Sequence, residues 1–151
     1  MLNVLNKGLT RRIGTDQYAT LSITVINEKS RRIDFSNAGH SPLLYYSENK
    51  KEFISIDTKG LPVGVEAKET YIKKSVVMSR NDIIILHTDG IPEVKSEDGS
   101  LYSIDKLKNL IISNRGKSSE QIANIVKNDI KLFKGSMDLV DDQTLIVVKA
   151  N

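Results

Sequence analysis

The chain of 151 residues contains no cysteine. This absence excludes a disulfide scaffold, a thiolate zinc site and a cysteine nucleophile. Long apolar runs are also missing, because the longest aliphatic run near the middle of the chain, Ile83 to Leu86, is only four residues long. A membrane-spanning helix needs about 20 such residues, and residues 1–7 lack the apolar core of a signal peptide. We therefore expect a cytoplasmic location and no membrane contact for this chain.

Positive charge is present without the pattern of a nucleic-acid surface. The formal net charge is +3, and the basic pairs are dispersed without interleaved aromatic residues. Composition therefore gives no support for a nucleic-acid partner. A hydrophobic content of 39% and a charged content of 27% are typical of a globular protein. The length predicts a single domain over residues 1–151 that is large enough to bury a core.

Hydrophobic periodicity predicts an α+β domain. Residues 17–26 alternate between apolar and polar types, as a half-buried strand does, and a second alternating strand around Ile33 and Phe35 completes a hairpin. Helical spacing is found at residues 2–12, 103–113 and 119–133. Further strands are predicted at residues 43–46, 53–56, 71–78, 83–88 and 143–149. Many strands with segregated helices favour a layered α+β fold.

Carboxylates stand at the ends of two predicted buried strands. Asp89 follows the apolar strand 83–88, whereas Asp141 and Asp142 precede the last strand, about fifty residues later. Carboxylates at strand ends can converge in a sheet, and oxygen ligands of this kind suit Mg²⁺ or Mn²⁺. Each segment also has an interpretation without a metal. Asp89-Gly90 can be a strand-terminating turn, and Asp141-Asp142 can be a solvated turn.

Two arguments favour a metal site at these acids. A carboxylate that ends a buried strand is expected to lie beside low-dielectric core and therefore to need a cation. Gly90 permits a close backbone approach, and the adjacent acids Asp141 and Asp142 repel each other unless a cation is near. His87 is expected to be a packed histidine rather than a ligand.

Four motifs in order carry a family resemblance. They are Asn37-Ala38-Gly39-His40-Ser41-Pro42, Gly60-Leu61-Pro62-Val63-Gly64, Thr88-Asp89-Gly90-Ile91-Pro92-Glu93 and Asp141-Asp142-Gln143-Thr144. Together they resemble the bacterial SpoIIE/RsbU-like branch of the metal-dependent serine/threonine protein phosphatases. The resemblance implies an αββα sandwich, in which two antiparallel sheets pack face to face with helices outside.

The same resemblance implies a mechanism and a set of site residues. A pair of Mn²⁺ or Mg²⁺ ions, about 3.5–4 Å apart, activates a water that attacks the phosphorus of phosphoserine or phosphothreonine. Asp89 and Asp141 are then metal ligands, and Gly90 and Asp142 support the site. No protein nucleophile is required, so no catalytic side chain is assigned. The implied substrate is a phosphorylated regulatory protein such as an anti-sigma-factor antagonist.

One departure from the family pattern bears on function. The family carries an earlier Gly-Asp-Val-Ser-Gly-His-Gly-like segment whose aspartate bridges the two metals, and nothing in residues 1–36 matches it. We therefore expect an N-terminally truncated domain with an incomplete metal pair, whether the chain is an isolated fragment, a split gene product or a degenerate relative. Unpaired sheet edges near residues 17–26 would favour a homo-oligomer. A non-catalytic, phosphatase-like regulatory or interaction module is the alternative function.

Overall fold

A computed structural model describes residues 1–12 and 17–151 of the chain. Its elements, in chain order, are α1 (Leu2–Thr10), β1 (Leu21–Asn27), β2 (Arg32–Ala38), β3 (Leu43–Ser47), β4 (Glu52–Ile56), β5 (Lys74–Val77), β6 (Ile83–His87), α2 (Ile104–Ser113), α3 (Ser119–Lys134) and β7 (Leu145–Lys149). The chain divides into two compact units, one formed by Met1–Leu43 and Ser55–Met78 and the other by Leu44–Ile54 and Ser79–Asn151. The prediction of one domain over residues 1–151 stays a prediction.

The first unit contains a three-stranded antiparallel sheet in the order β1-β2-β5. The predicted hairpin is present, with β1 and β2 paired from Leu21 opposite Ala38 to Asn27 opposite Arg32. Helix α1 contributes Leu2 to a small core with Ala38, Val63 and Tyr71. Strand β1 forms an edge of this sheet, and Val25 and Ile26 on it are 55% and 43% exposed.

The second unit carries the four-stranded sheet, in the order β4-β3-β6-β7. The run of isoleucines at positions 83–85 lies in β6, between β3 and β7, and all three side chains are fully buried. Their burial on both faces of the strand explains why this segment shows no apolar–polar alternation. Helices α2 and α3 pack Leu107, Ile111, Ile122 and Val126 into the same core as Ile83 and Ile85.

The start of α3 is fixed by a capping box. The Ser118 hydroxyl accepts a hydrogen bond from the backbone N–H of Gln121, and the Gln121 side chain accepts one from the backbone N–H of Ser118. These two bonds satisfy donors that an uncapped helix leaves free. Helix α3 therefore begins at a defined residue, and its last turn leads into the loop that carries Asp141.

Three of the predicted strands are shorter by two or more residues in the structure, where loop contacts replace ladder pairing at their ends. Ala19 exchanges backbone hydrogen bonds with Val63, 3.0 and 2.9 Å long, in an isolated bridge ahead of β1. Strand β5 occupies only Lys74–Val77 of the predicted 71–78, since the backbone N–H of Tyr71 donates to the side chain of Asn3. Strand β7 begins at Leu145 rather than at residue 143.

Among residues 1–12 and 17–151, no helix has the length and apolar character that a membrane span requires.

Candidate metal site

Asp89 lies one residue beyond the end of the central strand. Strand β6 ends at His87, and Thr88 extends the pairing because its N–H donates to the carbonyl of Thr144 at 3.2 Å. Asp89 then begins a turn in which its carbonyl accepts the N–H of Glu93 at 3.1 Å. Its side chain is exposed. The expectation that Asp89 lies beside low-dielectric core is therefore wrong, since the strand delivers the carboxylate to the surface and it is the adjacent Gly90 that is buried.

The Thr88 hydroxyl joins the two acidic segments. It donates to the carbonyl of Asp142 at 3.0 Å and accepts from the backbone N–H of Thr144 at 3.0 Å. The side-chain amide of Gln143 donates to the carbonyl of Gly90 at 3.0 Å. We call this set of bonds, between residues 88–90 and 142–144, the loop clasp. It is built only from main-chain and uncharged side-chain groups.

Gly90 permits the closest approach within the loop clasp. A Cβ atom placed on Gly90 would lie 2.4 Å from the carbonyl oxygen of Asp142 and 3.5 Å from the carbonyl carbon of Asp141. Both distances involve backbone atoms, which no side-chain rotation can remove. The absence of a side chain at this position therefore lets the turn after Asp89 contact the turn that contains Asp141.

Each of the two proposed ligands has one carboxylate oxygen bound locally. Asp89 Oδ1 accepts the N–H of Gly90 at 3.1 Å, and Asp141 Oδ1 accepts the N–H of Asp142 at 2.7 Å. Asp141 and Asp142 are both exposed. Asp142 contributes its backbone carbonyl, which accepts the Thr88 hydroxyl.

The donor chemistry of the pair fits a hard divalent cation in part. Two carboxylates at one end of the sheet, after β6 and before β7, are ligands of the type that Mg²⁺ and Mn²⁺ prefer. Within residues 1–12 and 17–151, however, no three His, Asp or Glu side chains are grouped so that they could hold a metal ion. The described part of the chain thus brings two carboxylate-bearing turns into contact, and a cation bound there would need water or groups from elsewhere as further ligands. We call Asp89 and Asp141 the candidate half-site.

Sequence reasoning gave no role to Thr88 or Gln143, although both lie inside the motifs that identified the acids. A signal was available at Thr88, because a hydroxyl beside the end of a central strand can bond the backbone of its neighbour. Gln143 gave no comparable signal. Its contact with Gly90 depends on the approach of two loops about fifty residues apart in sequence.

The Asn37 motif forms a turn in the first unit. The Asn37 side chain accepts the N–H of His40 at 3.0 Å and donates to the carbonyl of His40 at 2.7 Å. Gly39 has a φ of +71° and packs against Pro62. Asn37 and Gly39 therefore hold the backbone of this turn. His87 is buried, with 7% of its surface exposed, as a packed histidine should be.

Comparison with known proteins agrees with this architecture. The family model of Stage II sporulation protein E (SpoIIE) matches residues 1–151. The chain is similar to phosphoserine phosphatase RsbU of Bacillus subtilis, with 28% identity over 149 residues that make up 99% of this chain and 44% of that protein. Stage II sporulation protein E of B. subtilis is 22% identical over 150 residues, 98% of this chain and 17% of that protein. The chain thus spans less than half the length of these relatives.

Solved structures show the same fold. The SiaA-PP2C domain of Pseudomonas aeruginosa superposes with a TM-score of 0.83 at 15% identity, over 99% of this chain and 59% of that one. The phosphatase domain of SpoIIE from B. subtilis, presoaked with Mn, gives a TM-score of 0.68 at 20% identity, over 99% and 64%. The predicted fold class, two antiparallel sheets with flanking helices, is confirmed. By its sequence along the whole chain and by its fold, the chain belongs to the SpoIIE family.

Proposed function

We propose that the chain carries metal ligands of a metal-dependent protein serine/threonine phosphatase. Its substrate would be phosphoserine or phosphothreonine on a regulatory protein such as an anti-sigma-factor antagonist. The observation that carries the proposal is the loop clasp, which holds the turns of Asp89 and Asp141 against each other at one end of the sheet. Membership of the SpoIIE family and similarity to a protein named phosphoserine phosphatase support the reaction class.

Asp89 and Asp141 would hold Mn²⁺ or Mg²⁺, with Gly90 and Asp142 as supporting residues. Such an ion neutralises phosphate charge and supplies a more acidic water. The contribution of the chain is preorganisation, because bonds from Thr88 and Gln143 fix the two turns before any ligand arrives. Because the described residues hold no group of three potential ligands, we expect weak or partial occupancy, with one ion bound or none.

The test is dephosphorylation of a phosphoserine protein with Mn²⁺, measured for this chain and for a longer version that includes a Gly-Asp-Val-Ser-Gly-His-Gly-like segment. Asp89→Asn and Asp141→Asn should each lower the activity by about a hundredfold or more, since ligands matter at least as much as their supporting residues. Asp105→Asn is the matched control, because the Asp105 side chain is 82% exposed on α2. An inert longer protein with intact Asp89 and Asp141 would rule out the enzyme assignment.

A non-catalytic regulatory or interaction module is the second candidate, and two observations favour it. The described residues hold no cluster of three potential ligands. Strand β1 is a sheet edge with exposed Val25 and Ile26, and an exposed apolar edge favours pairing with another chain. This candidate predicts a homo-oligomer without measurable Mn²⁺ binding. Light scattering that gives a monodisperse monomer, or calorimetry that detects stoichiometric Mn²⁺, would contradict it.

A further inference from the structure

A cleft of about 430 Å³ lies next to the half-site, between residues 90–101 and residues 138–143. Its volume is within the range of about 300–1,000 Å³ that is usual for ligand pockets. Aliphatic side chains contribute to both walls and remain accessible: Leu101 is 53% exposed, Leu139 51% and Val140 89%. Exposed apolar groups concentrated around one cleft indicate an interaction site more strongly than isolated ones do.

Hydrogen bonds hold the two walls of this cleft together at separate points. Glu97 Oε1 accepts both the N–H of Ser136, at 3.0 Å, and its hydroxyl, at 2.8 Å. At the second point, the Gln143 side chain donates a hydrogen bond to the carbonyl of Gly90. The segment that carries Leu139 and Val140 is therefore anchored on both sides, so the cleft is part of the fold and needs no ligand to form it.

The cleft reaches one of the two proposed metal ligands, Asp141. Asp141 lines it and directly follows Val140 in the chain. A phosphorylated side chain that reaches Asp141 would bring its sequence neighbours to the aliphatic wall at Leu139 and Val140. The position of the cleft thus suits a residue that flanks the phosphorylated residue of a substrate.

The charges of the residues that line the cleft favour some flanking residues of the substrate over others. Two carboxylates, Glu93 and Asp138, line the cleft in addition to Asp141, and Lys95 is the cation among the described lining residues. An acidic neighbour would meet more repulsion than attraction there, whereas an aliphatic one would bury surface. We propose that this cleft binds an aliphatic side chain immediately beside the phosphorylated residue of the substrate. The inference rests on the proposed phosphatase function and names the specificity of that same site.

Binding of fluorescent peptides to this chain tests the inference independently of catalysis. The peptides contain a non-hydrolysable phosphonate analogue of phosphoserine, flanked on both sides by Leu, Ser or Asp, and anisotropy is measured with Mn²⁺. We expect the Leu peptide to bind about tenfold more tightly than the Ser peptide, because its side chain becomes partly buried. The Asp peptide should bind most weakly.

Matched variants locate the preference. Leu139→Asn and Val140→Asn alter exposed side chains of the cleft and should reduce the Leu-to-Ser preference to less than about twofold. Leu132→Asn is the control, because Leu132 is 80% exposed on α3 and does not line the cleft. It should leave the preference unchanged. Circular dichroism spectra of all three variants confirm that the fold is intact.

The outcomes separate this inference from the proposed function. Hydrolysis of p-nitrophenyl phosphate, which has no flanking residue, reports only on the metal half-site. If neither this chain nor the longer version hydrolyses p-nitrophenyl phosphate but the Leu preference persists, the phosphatase is rejected and the cleft is retained. Equal binding of the Leu and Ser peptides by the wild-type chain would overturn the inference, as would a full Leu preference in both cleft variants.

Discussion

Replacement of Gly90 by alanine probes the contact on which the metal half-site depends. The new methyl group would lie 2.4 Å from the carbonyl oxygen of Asp142 and 3.1 Å from its carbonyl carbon. Non-bonded carbon atoms prefer separations of about 3.5 Å or more. The two turns must therefore separate by about 1 Å, because backbone atoms block the methyl group and no flexible side chain can move aside.

The magnitude follows from the bonds that such a movement weakens. Separation lengthens the bond from the Thr88 hydroxyl to Asp142 and the bond from Gln143 to Gly90, and each bond contributes about 0.5–1.5 kcal/mol. A methyl group inserted into a well-packed site forces backbone shifts that cost about 1–3 kcal/mol. Since these costs overlap, we expect Gly90→Ala to lower the free energy of unfolding by about 2–4 kcal/mol. For a chain of this length that corresponds to a Tm lower by roughly 5–15 °C.

Urea unfolding and Mn²⁺ calorimetry measure the two consequences. Displacement of the turn that carries Asp141 should weaken Mn²⁺ binding by about 10–100-fold, as expected for groups that orient metal ligands. Gly116→Ala is the control, because a Cβ at Gly116 would meet no atom within 4 Å, and it should change the unfolding free energy by no more than about 0.5 kcal/mol. Equal stability and equal Mn²⁺ affinity of the two variants would refute the reasoning.

Three further substitutions test other contacts. Thr88→Val removes the hydroxyl that donates to Asp142 and should cost about 1–2 kcal/mol in urea unfolding; an unchanged midpoint would contradict the loop clasp. Burial and the neighbouring Asp82 raise the pKa of Tyr45 above its usual value, so its contribution to stability is complete below about pH 10 and is lost as the pH rises further. The stability of Tyr45→Phe should therefore fall less steeply than that of the wild type between about pH 10 and 12, and parallel curves would refute this. Ser118→Ala removes the helix cap and should cost about 1 kcal/mol, whereas no loss in thermal unfolding would show that the cap is dispensable.

Local patterns predict most elements of this fold. The alternation in residues 32–38 and the helical spacing in residues 119–134 each specify a structure whose period matches the sequence. Strand ends were less predictable because they depend on distant partners. Tyr71 is held by Asn3 and Ala19 by Val63, and no local pattern in the sequence encodes these contacts.

The candidate site shows the same division between local and distant information. Asp89 and Asp141 could be chosen as candidate ligands from the sequence, because each acid stands next to an apolar strand in the linear sequence. The exposure of Asp89 was not predictable, since it depends on which way the turn after His87 leaves the sheet, whereas the solvated-turn interpretation anticipated the exposure of Asp141. The role of Gln143 was equally hidden, because its partner Gly90 becomes a neighbour only after β6 and β7 have paired.

The separation of ligands from supporting contacts has a functional consequence. Every bond of the loop clasp uses uncharged groups of Thr88, Gln143 and the backbone. Among residues 1–12 and 17–151, the exposed carboxylates of Asp89 and Asp141 each accept only the following N–H. The fold therefore does not depend on these charges, and because exposed acids cost little desolvation they are available for a cation. If Asp89 and Asp141 bind a metal as proposed, the two turns keep their contact without it, and we expect substitutions of the acids to change metal affinity and not fold stability.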